Sequence, residues 1–367
     1  MKILRPTWAE IDLKNIAHNI EALKYFIGDN VGILAVVKAD AYGHGMVKVA
    51  GALEKMPVKM LGVATVEEGI LLRQAGIKKE ILILGSIYPF TNFKEVINYN
   101  LTPTIASVAG IESLENYGLK CGKKIPFHLK IDTGMARIGL LPSTAASVIP
   151  KIRKLKNVFM EGIYTHLACG AIKNEFTKSQ FFEFKKIVKS IKVDYKHIAA
   201  SAAIINYRNS CFNIVRPGLL IYGLLPFKNA EKFIPVKPVL ALKTKIVFLK
   251  NVPKNTSVSY GRTFYTKRPS RIATVPIGYA DGLSRYNSNN AYMIVNGQRA
   301  PVVGSVCMDM TMLDVTGVRG AAVGNEVSVI GTQGGERITA EEVARRCRTI
   351  NYEVVTSISK RVPRVYK

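Results

Sequence analysis

Residues 33–45 read ILAVVKADAYGHG: five apolar residues run straight into a lysine, an aspartate, a tyrosine and a glycine-bounded turn. A short apolar run closed by polar turn residues is the pattern of a strand buried on both faces. Lys38, which it delivers, stands against a hydrophobic strand end. Desolvation there disfavours the ammonium form and makes the neutral amine accessible, and a neutral amine traps carbonyls as Schiff bases. Taken alone, the run reads more simply as a strand-terminal lysine reaching for solvent. Its surroundings along the chain decide between the two.

Outward from this strand the same unit recurs. Seven further β-rich runs follow, MLGVATV (60–66), EILILGS (80–86), LTPTIAS (101–107), IPFHLKID (125–132), VFMEGIYTHL (158–167), YKHIAAS (195–201) and FNIVR (212–216). Amphipathic stretches such as GMVKVAGALEKM (45–56), EEGILLRQAG (67–76) and EFTKSQFFEFKKIVKSI (175–191) lie between them, and Gly76 is placed as a helix stop. Eight strand-helix units predict a (β/α)8 TIM-like barrel. An open doubly wound sheet is the competing layout, but no glycine fingerprint follows the first strand. Ahead of the barrel, Asp12 can cap a helix with Leu13, Ile16, Ile20 and Leu23 on one face, covering the barrel bottom or rim. After residue 228 the pattern turns to short strands and turns, with one helix started by Thr339. The expected division is a barrel over 1–228 and a mostly-β domain over 229–367.

The chain has 367 residues, 48% of them hydrophobic, and no apolar run approaches the ~20 residues of a membrane span. The first residues lack a secretory signal's apolar core, and five cysteines without a CxxC pair fit reduced thiols, so a cytoplasmic protein is expected. No cysteine or histidine pair has zinc-ligand spacing, and no metal is expected. A net charge of +26 raises nucleic acid as a partner. Its lysines are spread along helices without interleaved aromatics or glycines, which reads as a solvated basic coat and no specific nucleic-acid site.

In such a barrel the chemistry gathers at the C-terminal ends of the strands. There the sequence places Lys38, then Lys130 and Arg137 with strand five, His166 after strand six, Ser201 after strand seven and Arg216 after strand eight. The loops after strands seven and eight, ASAAI (200–204) and RPGLLIYG (216–223), are the usual place for a phosphate. Ser201 offers a hydroxyl, and Gly218 and Leu219 offer backbone N–H groups. A Schiff-base lysine facing a phosphate cradle implies pyridoxal 5′-phosphate.

Five stretches in order, AVVKADAYGHG (35–45), IDTGMARIG (131–139), IVRPGLLIYG (214–223), SVSYG (257–261) and VCMDM (306–310), resemble the motifs of the alanine racemase family over essentially the whole chain. The resemblance implies a homodimer whose barrel mouths are each completed by the other subunit's β domain, making D-alanine for cell-wall peptidoglycan. Lys38 would hold the cofactor and act as one acid/base, with Tyr260 of the partner subunit as the opposite one. Two are needed, because the α-proton leaves one face and returns from the other. By the same resemblance Arg216 bonds the pyridine nitrogen and His166 bridges Arg216 and Tyr260. Arg137 and the Met308 N–H hold the substrate carboxylate. Tyr42, Ser201, Gly218, Leu219 and Tyr352 complete the phosphate site, and Lys130 carries a carbamate. Asp40 and His44 read as structural, capping and shaping the turn. Ala200 stands where many family members have Asn, which removes one supporting hydrogen bond. A related barrel decarboxylase, a serine-accepting racemase and a cofactor carrier without turnover are the rival readings. The SYG motif and Arg216 favour racemisation over decarboxylation, and the β domain argues against a carrier.

Overall fold

In a computed structural model of the chain, residues 4–367 are described. Eight parallel strands carry the first half: β2 (Gly32–Val36), β3 (Met60–Val63), β4 (Glu80–Ser86), β5 (Thr102–Ile105), β6 (Ile125–Lys130), β7 (Val158–Tyr164), β8 (Tyr195–His197) and β9 (Ile214–Val215). They hydrogen-bond in the order β8-β7-β6-β5-β4-β3-β2-β9, and an isolated parallel bridge between Ala200 and Arg216 joins the two ends of the sheet. Short runs of buried aliphatics such as Ile33 to Ala35 and Ile81 to Ile83 explain why these segments are strands: both faces are covered. Each expected run holds its strand, except that β2 begins one residue ahead of its run, at Gly32.

The helices between them begin and end where the sequence signals them. Thr65 Oγ1 accepts the Glu68 N–H at the start of Val66–Gln74, and Gly76 takes φ 83° just beyond its end. Asp12 caps the helix Leu13–Ile27 by accepting from Lys14 and Asn15 N–H at 2.9 and 3.2 Å. That helix packs against Met46–Leu53 and the short Leu219–Tyr222 turn after the last strand, with Asn19 Nδ2 donating to Ile221 O and Lys237 O. It therefore lies beside the barrel's neighbouring helix, and its Ile16, Ile20 and Leu23 are fully buried there.

The second half is a sheet domain, with one correction. Its main sheet runs β16 (Gln298–Pro301), β15 (Tyr292–Val295), β18 (Glu326–Gln333), β10 (Leu240–Lys245), β1 (Thr7–Ile11), β20 (Arg364–Tyr366), with β19 (Glu336–Ile338) on β18. Strand β1 thus belongs to the second domain, although the expected division assigned residues 1–228 to the barrel. Thr7, Ala9 and Ile11 are buried and alternate with half-exposed Trp8 and Glu10, so the strand needs a one-sided antiparallel partner, which β10 supplies. Beside this sheet stand β11 (Phe248–Val252), β14 (Ser270–Val275) and β17 (Thr311–Asp314), and the hairpin of β12 (Ser257–Val258) with β13 (Phe264–Tyr265). Two helices, Ala340–Arg346 and Asn351–Thr356, complete the domain where one was expected. Among the described residues no helix is long and apolar enough to cross a membrane.

Candidate active site

Lys38 follows β2 and opens a turn unlike any other among the described residues. Ala39, Asp40, Ala41 and Tyr42 all take φ 52–54° and ψ 39–54°, one turn of left-handed helix made by non-glycine residues. Such a turn costs roughly 1–2 kcal/mol per residue, so its surroundings must hold it. Glu68 does so by accepting Ala39 N–H and Ala64 N–H at 2.7 and 2.6 Å. Asp40 Oδ1 accepts Met46 N–H at 2.7 Å and caps the next helix, and His44 Nδ1 bonds the carbonyls of Ala41 and Tyr42. Gly43 lets the turn pass under Asn351–Thr356, where a Cβ would lie 2.3 Å from Val355 O. The result aims Lys38 across the barrel's upper rim. Burial, and then the Arg137 charge, lower its pKa against the raising effect of Glu68.

Around that amine stand the other expected rim residues. Arg216 is buried and donates from NH1 to His197 Nδ1 at 2.7 Å. Its NH2 reaches Thr165 O at 2.8 Å, Ile198 O at 3.0 Å and His166 Nδ1 at 3.3 Å. Its Nε has no protein partner among the described residues. Burial brings its pKa down to about 10, which still leaves a cation at neutral pH. Lys130 is buried with its Nζ 4.2 Å from the centre of the Tyr164 ring. Its pKa is pushed well down by burial and then by Arg216 and Arg137. His166 is likewise driven well below its usual value by burial and by the same cations. Arg137 sits on the exposed loop after β6, which Asp132 shapes by accepting the N–H groups of Gly134, Met135 and Ala136 at 2.9, 2.9 and 3.1 Å.

The phosphate-type cradle is present as well. Ser201 Oγ accepts Gly218 N–H at 3.0 Å and Leu220 N–H at 3.4 Å, while Leu219 N–H has no partner among the described residues. The helix Ser201–Asn206 starts at Ala200 without a capping side chain, leaving its first N–H groups to an outside acceptor. A Cβ on Gly218 would fall 2.5 Å from the Tyr42 hydroxyl, so only glycine admits that close approach. Tyr42 packs on Tyr352 at 5.8 Å between ring centres, and Tyr352 comes from the second domain. These residues fit pyridoxal 5′-phosphate: an amine of lowered pKa for the aldehyde, free N–H groups for the phosphate and an unpaired Nε for the ring nitrogen.

Two expected residues lie elsewhere. Tyr260 and Met308 line one groove of the second domain, and both are exposed, Tyr260 to 75% and Met308 to 52%. Ser305 Oγ donates to Tyr260 O at 2.9 Å, and Ser259 Oγ donates to Ser305 O at 2.6 Å, which ties the two loops together. No hydrogen bond joins Tyr260 to His166 within the chain, among the described residues. Asp281, read from the sequence as a turn aspartate, caps its own turn through Gly278 N–H at 3.0 Å and pairs with Arg5.

Sequence reading missed Glu68, Asp132, Tyr164 and the buried pair His128 and His197. Polar residues inside barrel strands, as in PFHLK (126–130) and YKH (195–197), were the available signal, since barrel interiors are normally aliphatic.

Comparison with known proteins matches two family models in sequence, "Alanine racemase, N-terminal domain" over residues 11–226 and "Alanine racemase, C-terminal domain" over 239–366. The chain is 45% identical to "Alanine racemase 2" of Caldanaerobacter subterraneus subsp. tengcongensis, over 99% of this chain and 95% of that one. Its fold is similar to the alanine racemase of Clostridium difficile 630, with a TM-score of 0.93 and 38% identity, covering 100% of this chain and 97% of that one. A second similar structure, of alanine racemase from Bartonella henselae, has 30% identity and a TM-score of 0.90, covers 99% of each chain, and is described with covalently bound pyridoxal phosphate.

Proposed function

The chain belongs to the alanine racemase family, and on that premise we propose that it interconverts L- and D-alanine with pyridoxal 5′-phosphate as a homodimer. The observation that carries this reading is the convergence of Lys38, the unpaired Arg216 Nε and the free N–H groups by Ser201 and Leu219 on one rim. Bound there, the cofactor supplies an electron sink that acidifies the α-proton of an amino acid.

The protein's own part is to place two proton carriers on opposite faces of the α-carbon. Lys38 Nζ is one, its pKa lowered by burial and then by Arg137, which makes the neutral, proton-accepting amine more accessible than on a free lysine. The hydroxyl of Tyr260 of the partner subunit is the other; family resemblance gives it the L-substrate's proton and Lys38 the D-substrate's. Its exposure on a groove of the second domain supports a site completed across a dimer. In this reading Arg216 keeps its proton and bonds the ring nitrogen through Nε, which limits the electron sink and suppresses transamination. Arg137 and the Met308 N–H of the partner subunit orient the substrate carboxylate through charge-assisted bonds. Lys130, its pKa pushed well down by burial and by Arg216 and Arg137, is eased toward the free amine that a carbamate needs, and the resulting anion would steady Arg137. A cytoplasmic location and supply of D-alanine for peptidoglycan belong to the same reading, and the free cysteines agree with it.

The test is incubation of the purified protein and cofactor with L-alanine in deuterium oxide. Loss of optical rotation together with α-deuterium uptake is the expected outcome. Release of carbon dioxide would select a decarboxylase instead, and an unchanged substrate a carrier.

A further inference from the structure

A line of buried polar side chains runs from Arg216 through His197 and His128 to Glu161, and its hydrogen bonds point one way. Arg216 NH1 can only donate, so His197 Nδ1, 2.7 Å away, accepts. In the neutral ring the proton then sits on His197 Nε2, which lies 2.8 Å from His128 Nδ1 and donates to it. His128 in turn carries its proton on Nε2, which faces Glu161 Oε2 at 3.4 Å. Those last two atoms are both shut off from solvent and have no hydrogen-bond partner within normal length, so each has only the other to face. Burial depresses the basicity of both histidines and keeps them neutral, the state the chain of donors requires.

Strand β7 is built to put the carboxylate there. Phe127 pairs with Met160 and His128 with Gly162, so Glu161 is the extra residue of a bulge, a device that re-aims a side chain. Gly162 leaves the room, since a Cβ on it would stand 2.6 Å from the His128 ring. The other groups facing His128 are the stacked Tyr195 ring at 5.6 Å and Glu80, which accepts the Tyr195 hydroxyl at 3.1 Å. The guanidinium has no carboxylate hydrogen-bonded to it among the described residues.

We propose that Glu161 is a positioning residue for Arg216, the terminal acceptor of a relay through His128 and His197 that holds the guanidinium in its pose. The relay itself stands on the geometry; its effect on reaction partition rests on the proposed racemase reading. A loosened Arg216 would let the ring nitrogen gain a proton and strengthen the electron sink. Alanine would then be oxidised to pyruvate, its amino group passing to the cofactor, whose aldehyde is reduced to the amine, with the water lost from the aldehyde balancing the water that supplies the keto oxygen of pyruvate.

Ring-15N NMR of the histidine-labelled holoenzyme reads the relay directly, and five histidines keep the spectrum assignable by single substitution. Bare Nδ1 and protonated Nε2 on both His128 and His197 are expected at neutral pH. An Nδ1 proton or an imidazolium on either would overturn the relay, whether or not the protein racemises alanine. Partition is then read as pyruvate formed per racemisation turnover, with the bound cofactor's visible absorbance confirming loading. Glu161→Leu should raise it about tenfold, and Glu161→Gln, which restores a neutral acceptor, should stay within about twofold of wild type. A loaded Glu161→Leu protein with the wild-type ratio would refute the positioning role. If that variant does not fold, His197→Asn places an oxygen near the Nδ1 position and His197→Gln near Nε2. A raised ratio in Gln alone supports the assignment, and equal ratios in the two refute it. A wild-type protein that does not racemise alanine would instead refute the function while leaving the NMR result to judge the relay.

Discussion

Removing one oxygen atom from Tyr260 is the sharpest change available at the scale of a residue. The side chain makes no packing contribution that its 75% exposure would let a phenylalanine lose. Tyr260→Phe should therefore keep the coloured lysine-bound cofactor and lose racemisation by ~10²–10⁴-fold, the usual range for a positioned acid/base. Steady-state rates from both enantiomers beside a visible spectrum check this; full activity would remove the two-base assignment. Tyr260 became a candidate only through the resemblance of SVSYG to a family motif, whereas Lys38, His166 and Arg216 became candidates because they sit at strand ends, where polar groups have no structural reason to cluster. His128, His197 and Glu161 were not, because a polar side chain inside an apolar strand looks like noise until the bore brings three strands together.

At the scale of the element, the left-handed turn after Lys38 and the helix Asn351–Thr356 lock each other through Gly43. Gly43→Ala drives a methyl into Val355 O and also meets an unfavourable φ of 80°. It should destabilise the protein by about 2–4 kcal/mol and weaken cofactor binding by displacing Tyr352. Urea unfolding and cofactor titration measure the two effects, and a variant normal in both would show that the lock is slack. Ala39→Gly tests the same turn from the other side: Ala39 is exposed at φ 52°, so glycine relieves strain there. Stability should hold or rise by up to about 1 kcal/mol, and a clear fall would contradict the strain argument. The sequence marked this segment as a turn through its glycines. The handedness could not be read, because alanine, aspartate and tyrosine do not favour it and the clamp by Glu68 comes from another unit. Strand β1 was misassigned for a related reason, as its pattern shows one buried face without saying which sheet covers it.

For the whole molecule, the separation of Lys38 from Tyr260 can be tested by complementation. Lys38→Ala and Tyr260→Phe proteins, each inactive, should regain about a quarter of wild-type activity when unfolded and refolded together. Half the dimers are then mixed, and each mixed dimer carries one intact site. No recovery would place both groups in one chain's site. Acid stability is a second property of the whole. His44, His128 and His197 are buried and His166 is half-buried, and desolvation lowers the pKa of all four, His44 to about 4. Between those values and 6.5 the unfolded chain binds more protons than the folded one, so stability rises with pH through this window and is lost as pH falls through it. His44 alone accounts for about 3 kcal/mol of that loss by pH 4. Melting temperatures that stay flat from pH 6.5 to 4.5 would contradict the burial of these rings as neutral groups. The pairing of β1 with both β10 and β20 has a further result for biosynthesis. Strand β1 is translated long before its parallel neighbour β20. Until β20 has been made, one edge of β1 stays open to any other nascent copy, so a polypeptide that stalls before it exposes a sticky border.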